Sequence, residues 1–341
     1  MFKRSRSFLK QIGLFIAICA VLLAGNSTIP TLLNPYIFMI LIYCGVNIIM
    51  GVSLNVINGL CGEFSMGHAG FMAIGAYVSA FFSFYTFGPF IDELTATHPG
   101  MTMMLTKQIL FLAAIVLGGI SAAIVGYIVG LPSLRLRGDY LGIVTLGFGE
   151  IIRVVILNLE VVGGARGFAG IPAWSNFFWV FFFVIAAVMT SFRMLKSYQG
   201  RALLAIREDE IAAESIGINI TAYKVKAFIY GAFFAGTAGA LLGHFIAYLN
   251  PATFTFIKSF EAIIIVVLGG MGSVTGAIVA AIITTILPEA LRPLQEFTKI
   301  DFRMVIYPLL LLTLMLTRPQ GLFGHKEYYD VIPFLKRKKR A

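Results

Sequence analysis

The chain has 341 residues, of which 59% are hydrophobic and only 12% charged, whereas soluble globular domains run to about 45–50% apolar and about 25% charged residues. That balance excludes an ordinary soluble enzyme and a disordered chain. The net charge of +10 raises nucleic-acid binding, but the basic residues sit in short clusters between apolar runs, as membrane topology arranges them. No nucleic-acid partner is expected.

Residues 1–11 form a basic N-terminus carrying Lys3, Arg4, Arg6 and Lys10. No Asp, Glu, Lys or Arg then occurs until Glu63, and a bilayer crossing needs about 20 apolar residues, so this run predicts two helices, at 12–29 and 36–57. The first, behind its basic stretch, has the pattern of a secretory signal. A second long span follows almost at once, however, and the parity of the helix count keeps it as the first crossing. Further charge-free runs cover 64–91, 108–134, 167–192, 227–257 and 262–288. With them come spans at 67–87, 107–131, 140–158, 175–195, 226–248, 260–270, 274–288 and 303–317.

With the N-terminus inside, ten spans put both termini in the cytoplasm. All four basic clusters then fall on one face: the N-terminus, Arg135/Arg137, Arg193–Lys226 and the chain from Arg318 onward. Lys336–Arg340 would lie against anionic membrane lipid. The expected fold is all-α, a polytopic transmembrane helical bundle of about ten spans over 12–317. It carries a cytoplasmic segment at 196–225 and a basic tail at 318–341.

The segments 260–270 and 274–288 reach only about 16 and 22 Å at 1.5 Å per residue, short of a hydrocarbon core of roughly 30 Å. Between them lies Leu268-Gly-Gly-Met-Gly-Ser-Val-Thr-Gly276, with Gly269, Gly270 and Gly272 at the turn. This predicts half-helices meeting at a Gly-rich break near the C-terminus, which membranes tolerate only where protein or water surrounds it. The outer connections, 88–106, 159–174, 249–259 and 289–302, are too short for a folded domain.

No Walker A sequence, metal-ligand cluster or nucleophile triad occurs, so no catalytic residue and no bound cofactor are expected. His68, His98, His244 and His325 share no spacing, and Cys19, Cys44 and Cys61 suit neither zinc nor a disulfide framework. Gly67, Gly70 and Gly75 on the third helix, and Gly231, Gly236, Gly239 and Gly243 on the seventh, read as close helix packing. Glu150 and Arg153 are three apart on one helical face and can pair. They read equally as the lining of a translocation path or as a buried structural pair. Glu63 and His68 fall at the inner entrance of the third helix, at the interface, and join Glu150 and Arg153 as candidates for the path lining or a buried pair. Glu261 starts the eighth helix, where a carboxylate suits the N-terminal dipole.

The inner segment is more specific. Arg207, Glu208, Asp209 and Glu210 start a short helix. Ile211, Ala212, Ser215 and Ile216 give it a small, apolar strip suited to a groove on another protein, and Gly217 suits its C-terminal cap. Glu210-x-Ala212-Ala213-x-x-x-Gly217 resembles the EAA-type coupling loop of ABC-importer permeases. GEFSMGHAGFMAIGAY (62–77), LRLRGDYLGIVTLGFGEIIRVV (134–155), VVLGGMGSVTGAIVAA (266–281) and TRPQGL (317–322) resemble the branched-chain amino acid permeases of the hydrophobic amino-acid uptake family, M-type. One departure is Val162–Phe168, where that family commonly has Thr-Gly-Gly-x-x-Gly.

The resemblance implies a channel formed with a homologous second permease subunit. It further implies two cytoplasmic ATPase subunits that bind the ATP, and an extracytoplasmic substrate-binding protein delivering leucine, isoleucine or valine. Arg207, Glu210, Ala212, Ala213 and Gly217 would transmit ATPase motion by contact. Two rival readings are the same architecture carrying urea or short amides, and an ion-coupled secondary transporter; the second leaves the docking helix without a purpose.

Overall fold

The computed structural model describes residues 2–97, 101–134, 136, 138–292, 309, 312, 313, 316, 317, 320–324 and 327. The Arg135/Arg137 cluster, His98, His325, most of the 303–317 span and most of the basic tail lie outside the described residues.

Twelve α-helices occur among the described residues. In chain order they are α1 (Phe2–Leu32), α2 (Pro35–Asn55), α3 (His68–Phe82), α4 (Gly88–Thr97), α5 (Met101–Ser133), α6 (Asp139–Asn158), α7 (Phe177–Lys196), α8 (Tyr198–Glu208), α9 (Glu210–Ser215), α10 (Ile220–Ile246), α11 (Phe256–Gly269) and α12 (Val274–Ala290). Single π-turns extend α2 over Val56–Leu60 and α3 over Ser83–Phe87. Two two-residue strands, β1 (Phe168–Ala169) and β2 (Tyr248–Leu249), pair antiparallel, with Phe168 opposite Leu249.

Six helical stretches among the described residues are long and apolar enough to cross a bilayer: Pro35–Leu60, His68–Ile91, Leu105–Ser133, Asp139–Asn158, Phe177–Lys196 and Ile220–Ile246. Two shorter apolar helices, Ala17–Leu32 and Val274–Ala290, accompany them. Sequence reading placed a loop at 88–106, but α4 begins there, running on from the π-turn with Pro89 in its first turn, where proline's missing N–H costs nothing. Likewise α10 starts at Ile220, six residues before the span expected at 226–248. Asn219 caps it by accepting from the Ala222 N–H at 3.0 Å, and Lys224 is carried inside.

The core sits where α10 packs against α5, α3 and α2. Its spacing is set by backbone contact. A methyl group added at Gly75 would lie 2.1 Å from the Gly236 carbonyl oxygen, and one at Gly239 would lie 2.0 Å from the Met72 oxygen. Apolar side chains gain little by leaving lipid for protein, so close van der Waals approach at small residues is what holds such helices together. By contrast α6 lies at the edge: Tyr140, Ile143, Ile151 and Val155 are all exposed.

Candidate coupling site and helix break

The chain leaving α2 does not form a surface loop. Residues 61–67 run through the protein, with Glu63, Ser65 and Gly67 buried. Buried backbone needs partners: the Ser65 N–H donates to Asn58 Oδ1 (3.3 Å) and the Met66 N–H to Thr145 Oγ1 (3.0 Å). Glu63 and His68 are therefore buried inside the protein rather than interfacial, because this segment folds back between α2, α6 and α10. His68 is fully buried and shares a 2.8 Å hydrogen bond between Nε2 and the Ser53 hydroxyl. Burial and the neighbouring Glu63 carboxylate push the Cys61 thiol well above its ordinary range, so it is an inert packing group.

Lys224 joins this segment to the coupling region. Its ammonium, 3% exposed, pairs with the Glu63 carboxylate and reaches Glu210 Oε1 at 2.5 Å. Sequence reading missed Lys224. The signal was a lysine beside Lys226 at the mouth of a span, but its partners are fixed only by packing.

Asp209 divides the coupling segment. Its extended backbone (φ −159°) ends α8, and its side chain caps α9 by accepting from the Ile211 and Ala212 N–H groups at 2.9 and 3.0 Å. Arg207 and Glu208 thus belong to the last turn of α8, not to the start of the docking helix, because Asp209 is the better N-cap. Arg207 donates to the Gly59 carbonyl at the end of α2 (2.9 Å) and pairs with Glu208 at 2.7 Å. Leu203 and Ile206 of α8 are buried, Leu203 packing with Val56, Leu60 and Cys61.

On α9 the exposed strip comprises Ile211, Ala212, Ser215 and Ile216, with both isoleucines 74% exposed. Ala213 points the other way and is buried. A Schellman motif ends the helix: the Gly217 N–H donates to the Glu214 carbonyl (2.9 Å) and the Ile218 N–H to the Ala213 carbonyl (3.1 Å). Gly217 has φ +87°, and a side chain there would meet nothing within 4 Å.

Between Gly269 and Val274 the chain leaves the helical path, with φ of +106° at Gly270 and +91° at Gly272. Gly269, the last residue of α11, packs its backbone on Gly276 of α12. Asn55 Oδ1 accepts from the Gly272 N–H at 2.8 Å, and Arg207 lies against Gly272 on the same side. The Ser273 hydroxyl caps α12 by accepting from the Gly276 N–H at 3.0 Å.

Glu150 and Arg153 pair at 2.7 Å on α6, but each side chain is over a quarter exposed, so the pair is not a buried one. The reason is the edge position of α6. Glu150 Oε1 also accepts from the Phe256 N–H, the first of α11, at 3.2 Å, where a carboxylate meets unpaired donors and the helix dipole. Glu261 lies beyond the first turn of α11 and pairs with Lys258 at 2.7 Å, which replaces the dipole role read from sequence. Beside it a cavity of about 350 Å³ opens between α2, α11 and α12, lined by Asn47, Glu261, Thr285 and Glu289 among others. Among the described residues no group of three or more His, Cys, Asp or Glu side chains is placed to hold a metal ion.

A helical bundle with six membrane-length spans among its described residues, held by glycine contacts, defines a helical membrane protein. The branched-chain amino acid transport system/permease component family matches residues 36–315. Among relatives, the high-affinity branched-chain amino acid transport system permease protein LivM of Salmonella typhimurium is 37% identical over 311 residues, covering 81% of this chain and 67% of the relative. The probable LivM of Methanocaldococcus jannaschii is 27% identical, covering 89% and 96%. LivH of Escherichia coli K12, a permease protein of the same kind of system, is 33% identical over 172 residues, covering 50% and 54%. No solved structure matches the chain. The chain belongs to the branched-chain amino acid transport permease family and is an integral membrane protein.

Proposed function

We propose that this chain is one of two permease subunits of an ATP-driven importer that moves branched-chain amino acids delivered by an extracytoplasmic binding protein. The observation that carries this reading is α9: a short helix outside the spans, presenting an exposed apolar strip and tied into the bundle by Lys224. A solvated loop helix has no need of that tether. Two ATPase subunits, which bind the ATP, would seat α9 in a surface groove. Arg207 and Lys224 would pass its motion to the inner end of α2 and to segment 61–67. Both termini then lie in the cytoplasm. The six long spans, α1, the α11–α12 pair and the segment 303–317 together make the ten-segment topology.

The path is assigned to the exposed side of α6 and α11. Glu150 and Arg153, and next to them Lys258 and Glu261, are partly exposed charges in an apolar bundle. Charges facing lipid are costly, so this side would line a water-filled path against the homologous second permease. The cargo follows the names of the LivM and LivH relatives, which favour branched-chain amino acids over urea or short amides.

Co-purification of the tagged chain in mild detergent, followed by uptake in proteoliposomes, tests the proposal. Recovery of a second permease and two ATPases, with leucine uptake that needs ATP and a binding protein, is the expected result. Uptake that persists without ATP but collapses with the ion gradient would overturn it.

A further inference from the structure

The break between α11 and α12 is closed by a segment from far along the chain. The Leu322 N–H donates to the Leu268 carbonyl (2.8 Å) and the Phe323 N–H to the Gly269 carbonyl (3.1 Å). The last carbonyls of α11, which have no partner within the helix, are thereby satisfied. Four residues on, the Glu327 carboxylate, 2% exposed, meets the start of α12. Its Oε1 accepts from the Val274 N–H (2.7 Å), and its Oε2 accepts from the Thr275 N–H (3.1 Å) and hydroxyl (2.5 Å). Gly270 and Gly321 touch through their backbones: a methyl on Gly321 would lie 2.5 Å from the Gly270 nitrogen.

Both cut ends of the broken helix are thus completed by one non-contiguous strip of chain. The turn's other contacts come from α2 and α8: Asn55 binds the Gly272 N–H, and Arg207 reaches Gly59 beside it. A continuous helix would hold this corner by its own i→i−4 hydrogen bonds. Here it is held by hydrogen bonds from residues far along the chain, around two glycines whose positive φ is a conformation readily open to glycine.

We infer that residues 320–324 together with Glu327 form a latch on the α11–α12 break, and that Glu327 is the positioning residue that sets the angle of α12 during transport. The coupling segment pushes on the turn through Arg207, and the latch decides whether α12 follows. This inference rests on the import reading for its transport arm only.

The test uses the full chain in its assembled transporter, with Glu327→Gln and Glu327→Ala. In a background with Cys19, Cys44 and Cys61 replaced by alanine, Val274→Cys, at a buried position, reports opening of the latch by its rate of reaction with N-ethylmaleimide. Loss of bonds to a charged acceptor should raise that rate at least about tenfold in Glu327→Ala. Glu327→Gln, which keeps one acceptor oxygen, should fall between. Amino acid taken up per ATP hydrolysed should drop in the same order, while the amount of assembled complex stays constant.

Equal labelling in all three proteins would overturn the latch, whether or not the chain proves to be an importer. Faster labelling with unchanged uptake per ATP would overturn its role in transport. So would uptake that falls only in proportion to assembled protein.

Discussion

Lys224 offers the sharpest test of how the coupling segment is held. It is 3% exposed and lies between two carboxylates, of which the Glu63 side chain is only 9% exposed and the Glu210 side chain 30%. Lys224→Met keeps the length and apolar stem of the side chain and removes the charge. Glu210 can turn to water, whereas Glu63 is left as a stranded buried carboxylate. Breaking one side of a buried pair costs about 3–5 kcal/mol in soluble proteins. An independent ceiling comes from protonation. Neutralising an ordinary glutamate, with a pKa near 4.3, costs about 3.7 kcal/mol at pH 7, at about 1.36 kcal/mol per pH unit.

The two figures agree, so a loss of about 3–4 kcal/mol is expected at pH 7. Glu63→Gln with Lys224→Met should recover most of the loss. Thermal unfolding of the detergent-solubilised protein, run beside the parent, measures both variants. A double variant no better than the single would refute the reasoning.

Docking through α9 predicts that Ala212→Trp, on the exposed strip, leaves insertion and permease pairing intact but abolishes ATPase binding or cargo-stimulated ATP hydrolysis. Pull-down and hydrolysis assays check it. Ala213→Trp should instead lower stability, because Ala213 is buried. Gly217→Val should unwind the cap at a cost of about 1 kcal/mol or more, since φ +87° disfavours β-branched residues, and should weaken the same ATPase contact. Arg153→Leu should harm uptake more than Glu150→Gln with Arg153→Leu, because the double change leaves no unpaired charge. Its stability effect should stay near the ~1 kcal/mol of a partly exposed pair. Single cysteines at Ser215 and Ala252, both exposed, should label with an impermeant reagent from opposite faces. Labelling of both from outside would contradict the proposed topology.

How much of this was readable beforehand depends on the range of the interaction. By itself the sequence determined the helical membrane class, because charge is excluded from lipid-spanning segments wherever they lie and each run is a local property of the chain. It also located most helices to within a few residues. Asp209 was misread, since its capping role depends on whether α8 or α9 claims the donors around it. Tertiary structure alone decided the rest. Lys224 meets Glu63 across 161 positions, and Glu327, read only as part of a basic tail, seats on α12 52 residues back. Ala212 and Ala213 are chemically identical, and one faces out while the other is buried, because α9 packs on one side only. Glu150 and Arg153 were readable as a pair, since three residues on a helix fix their spacing. Their exposure, and the Glu150 bond to α11, were not, because burial belongs to the neighbours a helix acquires rather than to the helix itself.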